Sequence, residues 1–169
     1  MVRLTLPPRS WSRHHDVSVE AFCRRWFPQE GFDLVHCHCI QEMGIGPLTV
    51  ARDLGIPYVV TLHDGWWLSP RQFLTTPSGC PVDVRDPLGH REVMAVSDAE
   101  EQQQDWQRRT KLEQVLAGAA KRLVVSQAFA DVHEYAGIKD VSVMENRWQP
   151  MPAAGPRSQL LINRCGVVS

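Results

Sequence analysis

The chain has 169 residues, 43% of them hydrophobic, and a formal net charge of −1. That length suits one domain rather than two, the hydrophobic share can bury a core, and the near-neutral balance supplies no bulk attraction to nucleic acid or to an anionic membrane. No apolar run approaches the ~20 residues that cross a bilayer, the opening MVRLTLPPRSWSRHH lacks the apolar core of a secretory signal, and five cysteines at 23, 37, 39, 80 and 165 form no disulfide framework, so the expectation is a cytoplasmic protein, with room for peripheral membrane contact.

Residues 1–15 are basic, contain Pro7 and Pro8, and read as irregular. Val17, Val19, Phe22, Cys23, Trp26 and Phe27 form one apolar stripe, which predicts a helix over 16–29 ended by Gly31. Phe32–Cys39 reads as a buried strand, Gly44–Leu54 as a helix closed by Gly55, and Ile56–Leu62 as a second strand. Residues 64–96, punctuated by Pro70, Pro77, Pro81 and Pro87, read as irregular. Loops of that length inside a compact domain are uncommon and often functional. Ser97–Ala120 predicts a long polar helix, with Ser97 and Glu100 as a capping box and the Glu/Gln/Arg run at 100–113 as a solvated face. A strand at Arg122–Ser126, a helix at Ala128–Ala136 ended by Gly137, and a short strand at Val141–Glu145 follow. Gln149–Ser158 is a Pro/Ala/Gly linker, and Leu160–Ser169 opens another apolar segment. Strands alternating with helices predict an α/β fold, a parallel sheet of about four strands flanked by crossover helices.

The sharpest local feature is TLHDGWWLSPRQFL at 61–74. It puts a histidine, an aspartate, two tryptophans and an arginine just past a strand's carboxyl end, where parallel α/β sheets bind ligands. His63-Asp64 reads either as a general base with an adjacent carboxylate or as a histidine bonded to backbone at a loop start. Trp66 and Trp67 are either a sugar-stacking or membrane-facing surface or a loop packed down by its own aromatics. Arg71 is either a phosphate or carboxylate ligand or a solvated side chain. His36-Cys37-His38-Cys39 has zinc-ligand chemistry, but a strand sends 36 and 38 to one side and 37 and 39 to the other. Buried small hydrophobes are the better reading of the two thiols, and no metal is expected. No Gly-rich phosphate loop of a common type is present.

FDLVHCHCIQEMG (32–44), TVARDLGIPYVVTLHDGWWLSPR (49–71) and RLVVSQAFADVHEYAGIKDVSVMEN (122–146), in this order and spacing, resemble the N-terminal domain of family 4 glycosyltransferases. These are retaining enzymes built from two Rossmann-like domains, the GT-B architecture. The resemblance implies a partial Rossmann-like domain over 16–148, after an irregular 1–15. It also implies that 149–169 is a linker and the start of a C-terminal donor domain. It implies sugar transfer from a nucleotide-sugar, as co-substrate and without a cofactor, to a glycan or lipid-linked acceptor held mainly by the N-terminal domain. The family's strand-end histidine, close to the reacting sugar, maps onto His63. His38 and Gln41 map onto the loop after the first strand, Asp64, Trp66 and Arg71 onto the long cleft-facing loop, and Ser126 and Asn146 onto further strand ends.

The departures are specific. The family's N-terminal strand with its Gly-rich turn and its donor domain have no counterpart here, its L-C-P-R reads Leu68-Ser69-Pro70-Arg71, and its Asn-Gly pair reads Asn146-Arg147. The expectation is therefore an acceptor-side domain, inactive as an isolated chain, with an open sheet edge that invites self-association. The rival expectation is a non-catalytic binding module that docks onto another chain or a glycan. A metal-dependent hydrolase built on His36, His38 and His63 is the weakest reading.

Overall fold

The computed structural model describes residues 14–91, 98–145 and 165–168. The first helix, α1 (Val17–Glu30), starts where the Asp16 carboxylate accepts from the backbone N–H groups of Ser18 and Val19 at 2.8 and 3.0 Å. These are two of the donors that a helix start leaves without internal partners. Its buried stripe is Val19, Cys23 and Phe27, spaced by four, as the 3.6-residue turn requires. Gly31 ends it with φ 63°, a left-handed conformation that glycine adopts without a Cβ penalty.

Then follow β1 (Leu34–Cys37), α2 (Gly46–Asp53), β2 (Tyr58–Leu62), a single 3-10 turn (Gly65–Trp67), α3 (Ala99–Ala117), β3 (Lys121–Val124), α4 (Gln127–Tyr135), β4 (Val141–Val143) and β5 (Cys165–Val168). The strands form one parallel sheet in the order β4-β3-β2-β1-β5. Val35 lies opposite Tyr58, Val59 opposite Lys121 and Arg122 opposite Val141, so the carboxyl ends of β1, β2 and β3 come out together. Helix α1 packs on α2, α2 on β1 and β2, α4 on β3 and β4, and α3 beneath the 3-10 turn. The core runs through Val35, Cys37, Leu48, Val60, Leu62, Leu112, Leu116 and Val124, each nearly or wholly removed from water.

The expected Rossmann-like α/β architecture is therefore present, with its four expected strands and four helices. The fifth strand is an addition: Cys165–Val168 pairs with β1 in parallel register, Leu34 opposite Cys165, along the edge expected to lie open. The outer strands are β4 and β5. The cap of α3 differs as well. The Asp98 carboxylate, not Ser97, serves as N-cap by accepting from Glu100 N–H at 3.2 Å; Ser97 lies outside the described residues. The linker expected over 149–158 and the first residues of the apolar segment after it also lie outside them.

The expectation of a solvated α3 face needs the larger correction. Asp105, Arg108 and Arg109 are buried, and they extend the apolar stripe of Leu112, Val115 and Leu116 by one polar turn. The cause is the long loop after β2, which folds down over this part of α3. Arg109 donates to the carbonyls of Leu68, Val84 and Ala136 at 2.9, 3.0 and 2.8 Å. Arg108 donates to the Trp66 carbonyl and lies 4.8 Å over the Trp66 ring. Burial lowers the Arg108 guanidinium to about 10, which leaves it charged at neutral pH. A loop contributes many backbone carbonyls with no helix or sheet partner, and buried carbonyls need donors. A planar guanidinium with five N–H groups serves several at once.

Candidate functional site

Strand periodicity and parallel register make the site. Side chains alternate across a strand, so His36 and His38 share one face of β1 while Cys37, 0% exposed, points into the core. Thr61 and His63 share the matching face of β2. The result is a ladder across the carboxyl ends of two adjacent strands. His36 Nε2 meets Thr61 Oγ1 at 2.8 Å, and His38 Nδ1 meets His63 Nε2 at 2.9 Å. The ring centroids lie 4.3 Å apart for His36–His38 and 5.2 Å apart for His38–His63, with the planes tilted by 38° and 30°. All three are partly buried. Burial, with the His63 charge, holds His36 below the ordinary imidazole range, and burial with both neighbours does the same for His38. Both are neutral at pH 7.

Asp64, next in sequence, turns away from the ladder into loop architecture. One carboxylate oxygen accepts from Trp66 N–H at 2.9 Å and caps the 3-10 turn. The other accepts from Gln41 Nε2 at 2.6 Å and Gln72 Nε2 at 2.8 Å. This ties the loop after β1 to both ends of the turn after β2. Gly44 closes the same loop at φ 69°, where a Cβ would sit 2.6 Å from the His14 carbonyl oxygen.

The expected site residues divide accordingly. His38, Gln41, His63 and Asp64 converge, in two linked pairs. Trp66 is 0% exposed, packed edge-on to Trp67 at 5.5 Å and covered by Arg108. Its ring is core, and the stacking-surface reading of Trp66 is corrected to a loop packed down by its aromatics. Arg71 is exposed on the loop. Ser126 caps α4, its hydroxyl accepting from Phe129 N–H at 3.3 Å. Asn146 lies outside the described residues. Among the described residues, no group of three or more His, Cys, Asp or Glu is arranged to hold a metal ion, the histidine ladder included.

Sequence reasoning passed over Gln72, Arg108 and Arg109. The two arginines carried a signal, for 105, 108, 109, 112, 115 and 116 follow the helical period of one buried face. Gln72 carried none. A cavity of about 530 Å³ also lies beside the loop, among His14, Pro70, His90, Arg91, Asp105 and Arg108. Burial, aided by the charges of Arg108, Lys111 and His15, pushes His14 down to about 4, so it is neutral there. Among the described residues no helix is long and apolar enough to cross a membrane.

A family model described as Glycosyltransferase Family 4 matches residues 2–146. No curated protein and no solved structure matches the chain. The parallel sheet fits the GT-B fold. The matched span takes in all four helices, β1 to β4 and the whole histidine ladder, and the chain belongs to Glycosyltransferase Family 4.

Proposed function

We propose that this chain forms the acceptor-side domain of a retaining glycosyltransferase, which moves a sugar from a nucleotide-sugar to a glycan or lipid-linked acceptor in the cytoplasm. The observation that carries the reading is the His38–His63 contact at the joined carboxyl ends of β1 and β2, where α/β sheets hold ligands. In this reading His63 faces the reacting sugar and handles a hydroxyl proton. His38 supports it, and Gln41 and Asp64 keep the two loops at a fixed spacing. Arg71, exposed on the same loop, contacts the acceptor. Stabilisation of the departing nucleotide phosphate falls to groups other than these, so the isolated chain is expected to bind acceptor without turning over donor.

The test has two arms. Histidine signals of the isotope-labelled chain are followed while glycan fragments are added, and donor turnover is assayed with a panel of nucleotide-sugars. Acceptor-dependent shifts at His38 and His63 without turnover support the reading. Turnover by the chain alone removes the acceptor-only assignment, and glycan binding that leaves both histidines unmoved removes the site. In the polypeptide as the cell makes it, His63→Ala is expected to lower kcat by about 10²–10⁴, the usual range for a positioned acid–base group.

A further inference from the structure

The contact between His38 Nδ1 and His63 Nε2 constrains more than position. At 2.9 Å it is a hydrogen bond, and a hydrogen bond between two ring nitrogens holds one proton and one lone pair. Two imidazolium rings would set two N–H groups head to head there. The pair therefore takes up no more than one proton beyond its neutral state, and its two outer nitrogens, His63 Nδ1 and His38 Nε2, are never both free acceptors.

We infer that His38 is a positioning residue which fixes His63 in the Nε2–H tautomer and turns its Nδ1 lone pair outward, so that the site selects a ligand group with a hydrogen to give. In this arrangement His63 Nε2–H donates to His38 Nδ1, and His38 carries its own proton on Nε2. Both rings then hold the tautomer that a free histidine prefers. The reverse arrangement would place both in the less favoured Nδ1–H form. His36 supports this from the other side. Its ring lies against His38 at 4.3 Å, and its Nε2 is held by Thr61 Oγ1.

The outward Nδ1 can accept from a sugar hydroxyl, whereas a bare phosphate or carboxylate oxygen would meet it lone pair to lone pair. When a hydroxyl proton is transferred, the O–H bond breaks and an Nδ1–H bond forms. The proton on Nε2 can then shift to His38 Nδ1 while His38 Nε2–H stays in place, so the pair keeps the one added proton. The charge spreads over two rings, and no third group is needed. The titratable group that interacts with both rings of the pair is His36 on β1. Asp64 turns away from the pair, and it is the Asp64 charge that reaches Cys39 in the loop after β1 and His133 of α4. The hydroxyl preference rests on the functional reading above, but the proton pairing rests on geometry alone.

The experiment is long-range proton–nitrogen NMR of the histidine-labelled chain from pH 8 to pH 4, with no sugar present. At pH 8 the expected result is His63 protonated on Nε2 and unprotonated on Nδ1, in one tautomer. On acidification, His38 and His63 should move together through one shared protonation step. In His38→Ala, His63 should become a mixture of tautomers and titrate alone. His38→Gln, whose carbonyl can accept from Nε2–H, should restore the single tautomer but not the joint titration. Two separate imidazolium steps in the unsubstituted chain would overturn the inference, as would a His63 signal indifferent to both substitutions. Because no sugar is used, a failed acceptor titration with this signature intact would count against the functional reading only.

Discussion

Arg109→Met is the most direct test of how the site loop is held. The side chain is 5% exposed, and its guanidinium serves the carbonyls of Leu68, Val84 and Ala136. Methionine fills much of the volume but donates to none of them. A buried acceptor left without a partner costs about 1–3 kcal/mol. At the low end, as water reaches some of the carbonyls, three of them amount to about 3 kcal/mol. The ion pair with Glu113 adds little, because that carboxylate is 45% exposed. For a domain of this size, each kcal/mol moves Tm by about 2–4 °C, so the expected loss is about 6–12 °C. Urea unfolding would give the same figure as a shift in midpoint at constant slope. Amide exchange should quicken first in the Gly65–Ser69 turn, whose Leu68 carbonyl loses its donor. A cost below about 0.5 kcal/mol, the level of an ordinary surface substitution, would refute the claim that this arginine anchors the loop.

Three further expectations follow from the same contacts. Trp66→Ala should cost about 3–5 kcal/mol in denaturant unfolding, as for a buried aromatic; a loss within ~0.5 kcal/mol would restore the exposed stacking surface. Asp64→Asn sets an amide nitrogen against one of its three N–H donors and should cost about 1.5–3 kcal/mol, with faster exchange of the Trp66 amide; unchanged exchange would mean the cap is idle. His14 falls from 6.5 unfolded to about 4 folded, so between those values the unfolded chain binds more protons, and stability is present above pH 6.5 and lost as pH falls toward 4. His36 and His38 shift in the same direction. The urea midpoint should therefore drop between pH 7 and pH 5, and less in His14→Gln; an equal drop in that variant would place the pH dependence elsewhere.

The architecture was legible because its signals are local and periodic. Val19, Cys23 and Phe27 mark α1 by their spacing, and Ile56–Leu62 marks β2 by a short apolar run between Gly55 and a polar loop. The histidines were legible because a strand's end is a place that sequence can locate. What they touch was not: the 2.8 and 2.9 Å contacts depend on how β1 and β2 are staggered. Trp66 and Arg108 show the other limit. Either residue type suits a surface or a core, and the choice depends on whether the loop folds onto α3, a tertiary event with no local period. The addition of β5 to β1 is long-range in the same way.

A loop of this length, rich in Pro and Gly, has little regular structure of its own to fix its geometry. Here the polar side chains around it supply that geometry. Asp64, Gln41 and Gln72 spend their hydrogen-bonding capacity on one another and on the first turn. Arg109 spends its own on carbonyls that include Leu68 and Val84, and Arg108 gives one bond to the Trp66 carbonyl. Ser126 spends its own on the start of α4. Polar groups committed in this way have less to offer a ligand, since binding through them would first break what holds the loop. In the proposed function, proton handling therefore falls to the outer nitrogens of His63 and His38, and Arg71 is left to contact the acceptor. Substitutions at Asp64 or Gln41 should accordingly weaken acceptor binding together with stability, whereas substitution at His63 should remove transfer and leave stability nearly unchanged. A His63 variant that unfolded as readily as an Asp64 variant would dissolve that division and return the ladder to a structural role.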